Sequence, residues 1–195
     1  MDEIKEKKAS IRTDMIKMVD ALSKDEFNEK SRHVEARLFD FANFIEAKIP
    51  LLYMNLPYEV PTQRIVEWCF AQNKIVVLPA FGKEKRSVTL MKVDDIEKDL
   101  KPGPRGVLEP DPERCKQVPI DQVDIAIVPG TAFDEKGGRI GAGFGYYDRL
   151  IPKLAVTTRK VSLIFEDHII SQVPMESHDK YVDIVITDQR IIYKI

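Results

Sequence analysis

The chain has 195 residues and a mass of 22.4 kDa, enough for one domain with a sizeable core. Apolar residues make up 44% and charged residues 32%, with a formal net charge of −2, so neither a general nucleic-acid surface nor a membrane-binding basic face is expected. The longest apolar run, "IVVLPAF" at 75–81, is far too short for a membrane span.

The opening "MDEIKEKKAS" is charged throughout, which predicts no secretory leader and a cytoplasmic protein. Residues 2–22 are a predicted helix, because Ile4, Ile11, Met15, Met18 and Leu22 recur at spacings of three, four or seven. "SKDE" at 23–26 reads as a capping box, with Ser23 as N-cap and Glu26 reaching back to it. The helix that follows places Phe27, Val34, Leu38, Phe41 and Ile45 on its core face. Pro50 and "LLYM" at 51–54 begin the sheet, and the prolines of "NLPYEVPT" at 55–62 make a loop. A helix over 62–72 leads to the strand "KIVVLPA" at 74–80. Residues 81–122 are loop-rich, with "SVTLMKV" at 87–93 as a candidate strand. "VDIAIVPG" at 123–130 is a continuous apolar run of the kind covered on both faces. After a glycine-rich segment come a short helix near 145–154 and strands at 159–165, 181–188 and 190–195. Strands alternating with helices predict a single α/β domain over 1–195, with a mostly parallel, doubly wound, Rossmann-like three-layer sheet carrying helices on both faces. Cys69 and Cys115 form no C-x-x-C and have no histidine cluster nearby, so idle thiols are expected and not a zinc site.

The segment "GGRIGAGFGYYDRL" at 137–150 holds five of the nine glycines. In doubly wound sheets ligands bind at the carboxyl ends of strands, and the βα loop after Pro129 lies in that position. Gly141, Gly143 and Gly145 precede a predicted helix, where bare amides and the helix dipole favour an anion. Arg139 at the loop entrance supplies a cation suited to phosphate oxygens. Asp148, in the helix, is placed to hold a magnesium ion on that phosphate. Two other readings stand beside this one. The segment is also compatible with a structural turn flanked by solvated charges. A dinucleotide-binding layout is the third, although its glycines would have to follow the strand directly, and here more than ten residues intervene. Lys8 and Arg12, four apart with Lys5 beside them, read by themselves as a solvated helix face of mutually repelling charges.

"VPGTAFDEKGGRIGAGFGYYDRL" at 128–150 resembles the signature of the 5-formyltetrahydrofolate cyclo-ligase family, approximately P-G-x-x-F-D-x-x-G-x-R-x-G-x-G-x-G-Y-Y-D, with every fixed position present. The resemblance extends to Lys8 and Arg12, to "LS" before the second helix, to the acid in "YEVPT", to "LEP" at 108–110 and to "VPMESHDKYVDIVIT" near the end. It implies an enzyme that uses ATP and magnesium to convert 5-formyltetrahydrofolate to 5,10-methenyltetrahydrofolate, releasing ADP and phosphate. By the same resemblance, Lys8, Ala9, Ser10, Ile11 and Arg12 belong to an ATP site. Its second half is Arg139, Ile140, Gly141, Ala142, Gly143, Phe144, Gly145, Tyr146 and Tyr147. Substrate contacts are expected from Met54, Glu59, Ala142, Gly143, Phe144, Gly145 and Tyr146. Metal ligands are expected at Asp148 and Asp179, with His178 a loop neighbour, and catalytic roles at Arg139, Tyr146 and Asp148. The partners implied are the folate and ATP, with no nucleic acid or membrane, and a monomer. One departure is His168, which stands where the family usually carries glutamine and so bears on pterin recognition. Thr131, in place of the commoner apolar residue after P-G, is a milder one. An ATP-using homologue with another N-formyl or pterin substrate, or a non-catalytic nucleotide- or folate-binding regulator, would carry the same signature.

Overall fold

The computed structural model describes residues 2–82, 87–103 and 105–194. Residue 1, residues 83–86 and 104 of the loop-rich stretch, and residue 195 of the last expected strand lie outside the described residues.

Two helices open the chain, α1 (Asp2–Asp20) and α2 (Lys24–Phe39). The capping box forms between them: Ser23 Oγ accepts from the Glu26 amide, and the Glu26 carboxylate accepts from the Ser23 N–H. The apolar stripes differ in detail from the expected ones. On α1 it is Val19 that enters the core, while Met18 is exposed. The second helix ends at its C-cap Asp40, and α3 (Ala42–Glu46) starts anew, burying Phe44 and leaving Ile45 exposed. The break shifts the inward stripe by one residue, which a continuous periodicity cannot show.

The strand β1 (Pro50–Leu51) is followed by a loop over 52–62, helix α4 (Gln63–Ala71), and strands β2 (Val77–Phe81) and β3 (Val88–Lys92). A one-turn helix α5 (Ile96–Asp99) leads into a small hairpin of β4 (Leu100–Pro102) and β5 (Leu108–Pro110), then β6 (Lys116–Gln117). The apolar run at 123–130 gives β7 (Ile125–Ile127). The loop after it is not plain: it folds back as a hairpin of β8 (Ala132–Phe133) and β9 (Arg139–Ile140) before α6 (Tyr146–Leu150). The sheet is completed by β10 (Arg159–Leu163), β11 (Ile184–Ile186) and β12 (Ile191–Tyr193).

The main sheet runs β12-β11-β10-β7-β1-β2-β3-β6. The middle strands β11, β10, β7, β1 and β2 are parallel, and antiparallel strands close both edges. Because side chains alternate along a strand, β7 feeds two cores. Ile125 and Ile127 join Leu38, Phe44 and Ile65 of α2, α3 and α4, while Ala126 and Val128 join Tyr147 and Leu150 of α6. Helices therefore cover both faces, and the α/β reading holds.

The order of strands sets where a ligand fits. From β1 the chain moves through α4 to β2 on one side, whereas β7, on the other side of β1, is followed outward by β10 and β11. Adjacent loops leaving the carboxyl ends of β1 and β7 thus diverge to opposite sides of the sheet and open a crevice between them.

Candidate active site

That crevice is a cleft of about 740 Å³. The loop after β1 supplies Met54 and Glu59, the segment 139–149 supplies one wall, α1 supplies Lys8 and Arg12, and a segment before β11 supplies Glu176 and Asp179. Gly143 (φ +98°) and Gly145 (φ +68°) occupy the left-handed region, which a side chain would strain. They turn the backbone around the cleft and leave it bare on that side.

Two cation–carboxylate pairs lie in the cleft. Arg139 is buried, and its Nη2 donates to Asp148 Oδ1 at 2.6 Å while Nη1 donates to the Pro129 carbonyl at 3.2 Å. Its Nε–H has no hydrogen-bond partner among the described residues. Arg139, at the entrance of the glycine loop, is therefore a buried cation that lines the cleft. Lys8 Nζ donates to Asp179 at 2.5 Å and to Glu176 at 2.8 Å. Burial would lower the Lys8 ammonium, but the hydrogen bonds and charges of Asp179 and Glu176 outweigh it and hold the pKa above its ordinary value. Burial raises the Asp179 carboxyl, and the Lys8 hydrogen bond together with the Glu176 amide brings the net shift below the usual range. Arg12 donates from Nε to the Gly141 carbonyl at 2.7 Å, which fastens α1 to the glycine segment. Lys8 and Arg12 are thus not a solvated face. Asp148 also accepts from the Lys180 N–H at 3.1 Å, so the two aspartates are tied through neighbouring backbone.

The other end of the cleft is less charged. Glu59 is 6% exposed, with one oxygen accepting from the Leu56 amide at 2.8 Å. Burial pushes its pKa up to about 7, against the opposing pull of that amide and of Arg105. Tyr53 and Tyr147 lie buried beside it, and burial raises both phenols, Tyr53 well above the ordinary value. Tyr146 meets Phe81 edge-on at 4.6 Å, and Arg105 lies over the Phe81 ring at 3.4 Å. Phe144 is half exposed at the mouth, 6.1 Å from Tyr146.

Of the expected site residues, Lys8, Arg12, Met54, Glu59, Arg139, Ile140, Gly141, Ala142, Gly143, Phe144, Gly145, Tyr146, Tyr147, Asp148 and Asp179 line this one cleft. Ala9 and Ser10 do not reach it: both are exposed on α1. Ile11 packs instead against the cluster of Met15, Ala132, Ile140 and Val173. His168 is also elsewhere. It is buried, its Nδ1 lies 3.0 Å from the Thr131 carbonyl, and burial lowers its pKa. It braces the loop after β7 and is not among the residues that line the cleft. The helix dipole counts for less than expected as well, since α6 has only five residues. The positive charge comes from side chains. Sequence reasoning missed Tyr53, Arg105 and Glu176. Tyr53 hid in an apolar run, and Arg105 in a proline–glycine turn. Glu176 carried a signal, two residues before His178 in "MESHD".

Oxygen donors suit a hard divalent cation, and Asp148, Asp179 and Glu176 are carboxylates in one cleft. Ligand atoms of Glu176, His178 and Asp179 lie within 4.8 Å of one another, although the His178 side chain is 66% exposed. The donor set fits magnesium.

Residues 4–188 match the 5-formyltetrahydrofolate cyclo-ligase family. The chain is 32% identical over 159 residues to the "Probable 5-formyltetrahydrofolate cyclo-ligase" of Schizosaccharomyces pombe, covering 74% of this chain and 76% of that protein. It is 25% identical over 193 residues to the 5-formyltetrahydrofolate cyclo-ligase of Mus musculus, covering 92% of each. Its fold is similar to the structure of Aquifex aeolicus 5,10-methenyltetrahydrofolate synthetase, with a TM-score of 0.82 and 27% identity over 95% of this chain and 92% of that one. The chain belongs to the 5-formyltetrahydrofolate cyclo-ligase family.

Proposed function

We propose that this protein converts 5-formyltetrahydrofolate to 5,10-methenyltetrahydrofolate at the expense of ATP, with magnesium, in the cleft between the β1 and β7 loops. A formamide oxygen is a poor leaving group. Its attack on the γ-phosphorus makes it a phosphate ester and releases ADP. The N10 lone pair then attacks the activated formyl carbon, closing the ring, and the N10 proton leaves to solvent. Phosphate departs with the former formyl oxygen as the C=N bond of the methenyl product forms. Such a route asks the protein for positioning and charge neutralisation, with no covalent enzyme intermediate.

The observation that carries this reading is the gathering of Lys8, Arg12 and Arg139 with Asp148 and Asp179 on one cleft that also reaches Glu59. Lys8, Arg12 and Arg139 are assigned to the triphosphate, beside the bare backbone of 141–145. Asp148 and Asp179 are assigned to the magnesium ion, which would neutralise phosphate charge. The pairs Lys8–Asp179 and Arg139–Asp148 then exchange partners, each cation taking phosphate oxygens. Glu59 and Met54 are assigned to the folate, the carboxylate accepting from pterin N–H groups. Tyr146 and Phe144 offer rings to a flat ligand. Catalytic contact falls to Arg139, Tyr146 and Asp148, and Ala9, Ser10 and Ile11 contribute through the backbone position of α1. The protein is proposed to act as a cytoplasmic monomer without nucleic acid or membrane. No helix among the described residues is long and apolar enough to cross a membrane.

The test mixes protein with 5-formyltetrahydrofolate, ATP and magnesium and follows the methenyl chromophore together with ADP. Both should appear in equal amounts, and omission of ATP or of magnesium should stop both. ADP without chromophore would favour a different N-formyl substrate, and neither product would favour a regulator.

A further inference from the structure

Two hydroxyls at the folate end of the cleft, Tyr53 Oη and Tyr147 Oη, are buried with no hydrogen-bond partner among the described residues. They come from separate parts of the chain. Tyr53 follows β1 at its carboxyl end, and Tyr147 lies in the first turn of α6. Both line the cleft beside Glu59, and the charges of the three groups act on one another. A buried hydroxyl left unpaired is costly, and native proteins keep one where something else completes it. One such atom could be an accident of packing. Two, beside a buried carboxylate on one cleft, form a pattern of two O–H donors and one acceptor.

The phosphate-facing cations do not use these groups, since Lys8, Arg12 and Arg139 pair with Glu176, Asp179, Asp148 and backbone carbonyls. Burial keeps both phenols protonated, with the Glu59 charge adding to the effect, so each remains a donor at neutral pH. The complementary ligand edge carries N–H donors next to a carbonyl oxygen. In a reduced pterin that edge is the 2-amino group and N3–H, for the carboxylate, followed by the 4-oxo group, for the phenols.

We propose that Tyr53 and Tyr147 are specificity-determining residues that donate their hydroxyls to a ring carbonyl of the substrate while Glu59 accepts its N–H donors. The proposal rests on the folate reading of this cleft. It explains why phenols stand here in place of phenylalanine: a 4-oxo heterocycle satisfies both hydroxyls, and a 4-amino one leaves them unpaired.

The experiment measures equilibrium binding of 5-formyltetrahydrofolate and of its 4-amino counterpart by calorimetry, without ATP, to the full chain and to Tyr53→Phe and Tyr147→Phe. The unaltered protein should prefer the 4-oxo ligand. Tyr53→Phe should weaken 5-formyltetrahydrofolate roughly tenfold, about 1.4 kcal/mol, and pull the two ligands towards equal affinity. Tyr147→Phe should act in the same direction. The KM for ATP should not change in Tyr53→Phe, and the Tm of both variants should hold or rise, because a lone buried hydroxyl has been removed. If both variants keep the 4-oxo preference, the hydroxyls are structural and the proposal fails while the folate reading stands. If the unaltered protein binds neither ligand, the folate reading fails and takes the proposal with it.

Discussion

Glu59 holds an ionisable group where burial and function pull in opposite directions. Its pKa is raised from 4.5 to about 7 by burial, while the Leu56 amide and Arg105 pull the other way, and the neighbouring phenols Tyr53, Tyr58 and Tyr147 carry no positive charge to help them. The sign for stability follows from proton linkage: between pH 4.5 and about 7 the folded state holds the extra proton, so stability falls as pH rises through that window. Glu59→Gln should therefore melt higher than the unaltered protein at pH 8 and much the same at pH 4.5. Binding runs the other way, because only the carboxylate accepts two pterin N–H groups. The KM for 5-formyltetrahydrofolate should fall as pH rises through about 7, and Glu59→Gln should flatten that profile. A KM profile unchanged by the substitution would remove Glu59 from the folate site. Asp148 has two duties as well, as partner of the buried Arg139 and as proposed magnesium ligand. Asp148→Asn keeps an oxygen for Arg139 but loses the charge, so a stability loss of about 1–3 kcal/mol is expected. Turnover should fall at least about tenfold, with a raised magnesium requirement. An unchanged magnesium titration would leave Asp148 with its structural duty alone.

At the scale of elements, α1 is held to the rest by contacts across almost the whole sequence. Lys8 reaches Glu176 and Asp179, and Arg12 reaches Gly141. Lys8→Gln should raise the KM for ATP about ten- to a hundredfold through the loss of a charge-assisted contact. It should also lower the Tm, since two carboxylates lose their cation. Proteolysis within α1 with and without ATP gives an independent readout, and protection by ATP should disappear in the variant. The glycine loop is a second element with a definite cost of change. At Gly143 an added Cβ would lie 3.8 Å from the Arg12 guanidinium, an ordinary contact, so the penalty comes from the φ of +98°. Gly143→Val should destabilise by about 1–3 kcal/mol and weaken ATP much more than it weakens the fold. Equal losses of binding and stability would make the loop a structural turn. How much of this could be read in advance varied with the range of the interaction. The capping box at Ser23 and Glu26 was legible because its partners are three residues apart. The spacing of Lys8 and Arg12 was legible too. Their surroundings were not, because Lys8 is buried against carboxylates about 170 positions away and Arg12 is held by a carbonyl 129 positions away. The break at Asp40 and the β8–β9 hairpin were likewise invisible to local periodicity.

For the whole molecule, the position of the cleft follows from the order of the strands. The apolar runs at 51–54 and 123–130 predicted central strands, and the glycine signature predicted the βα loop after Pro129 as the site. What they could not predict was which residues from other loops would close it. Tyr53 and Arg105 became recognisable only when β1, β7 and the hairpin of β4 and β5 were assembled around the same space. His168 taught the reverse lesson: a departure from the family's usual residue, outside the signature, braces a loop and is not among the residues that line the cleft. In the proposed reaction the assembled cleft passes the formyl oxygen of the folate to phosphate. The transfer can be followed with 5-formyltetrahydrofolate carrying oxygen-18 in the formyl group, mixed with the protein, ATP and magnesium, by mass analysis of the released phosphate. One labelled oxygen is expected in each phosphate for each methenyl product formed. Methenyl product accompanied by unlabelled phosphate, with the label in water, would contradict it.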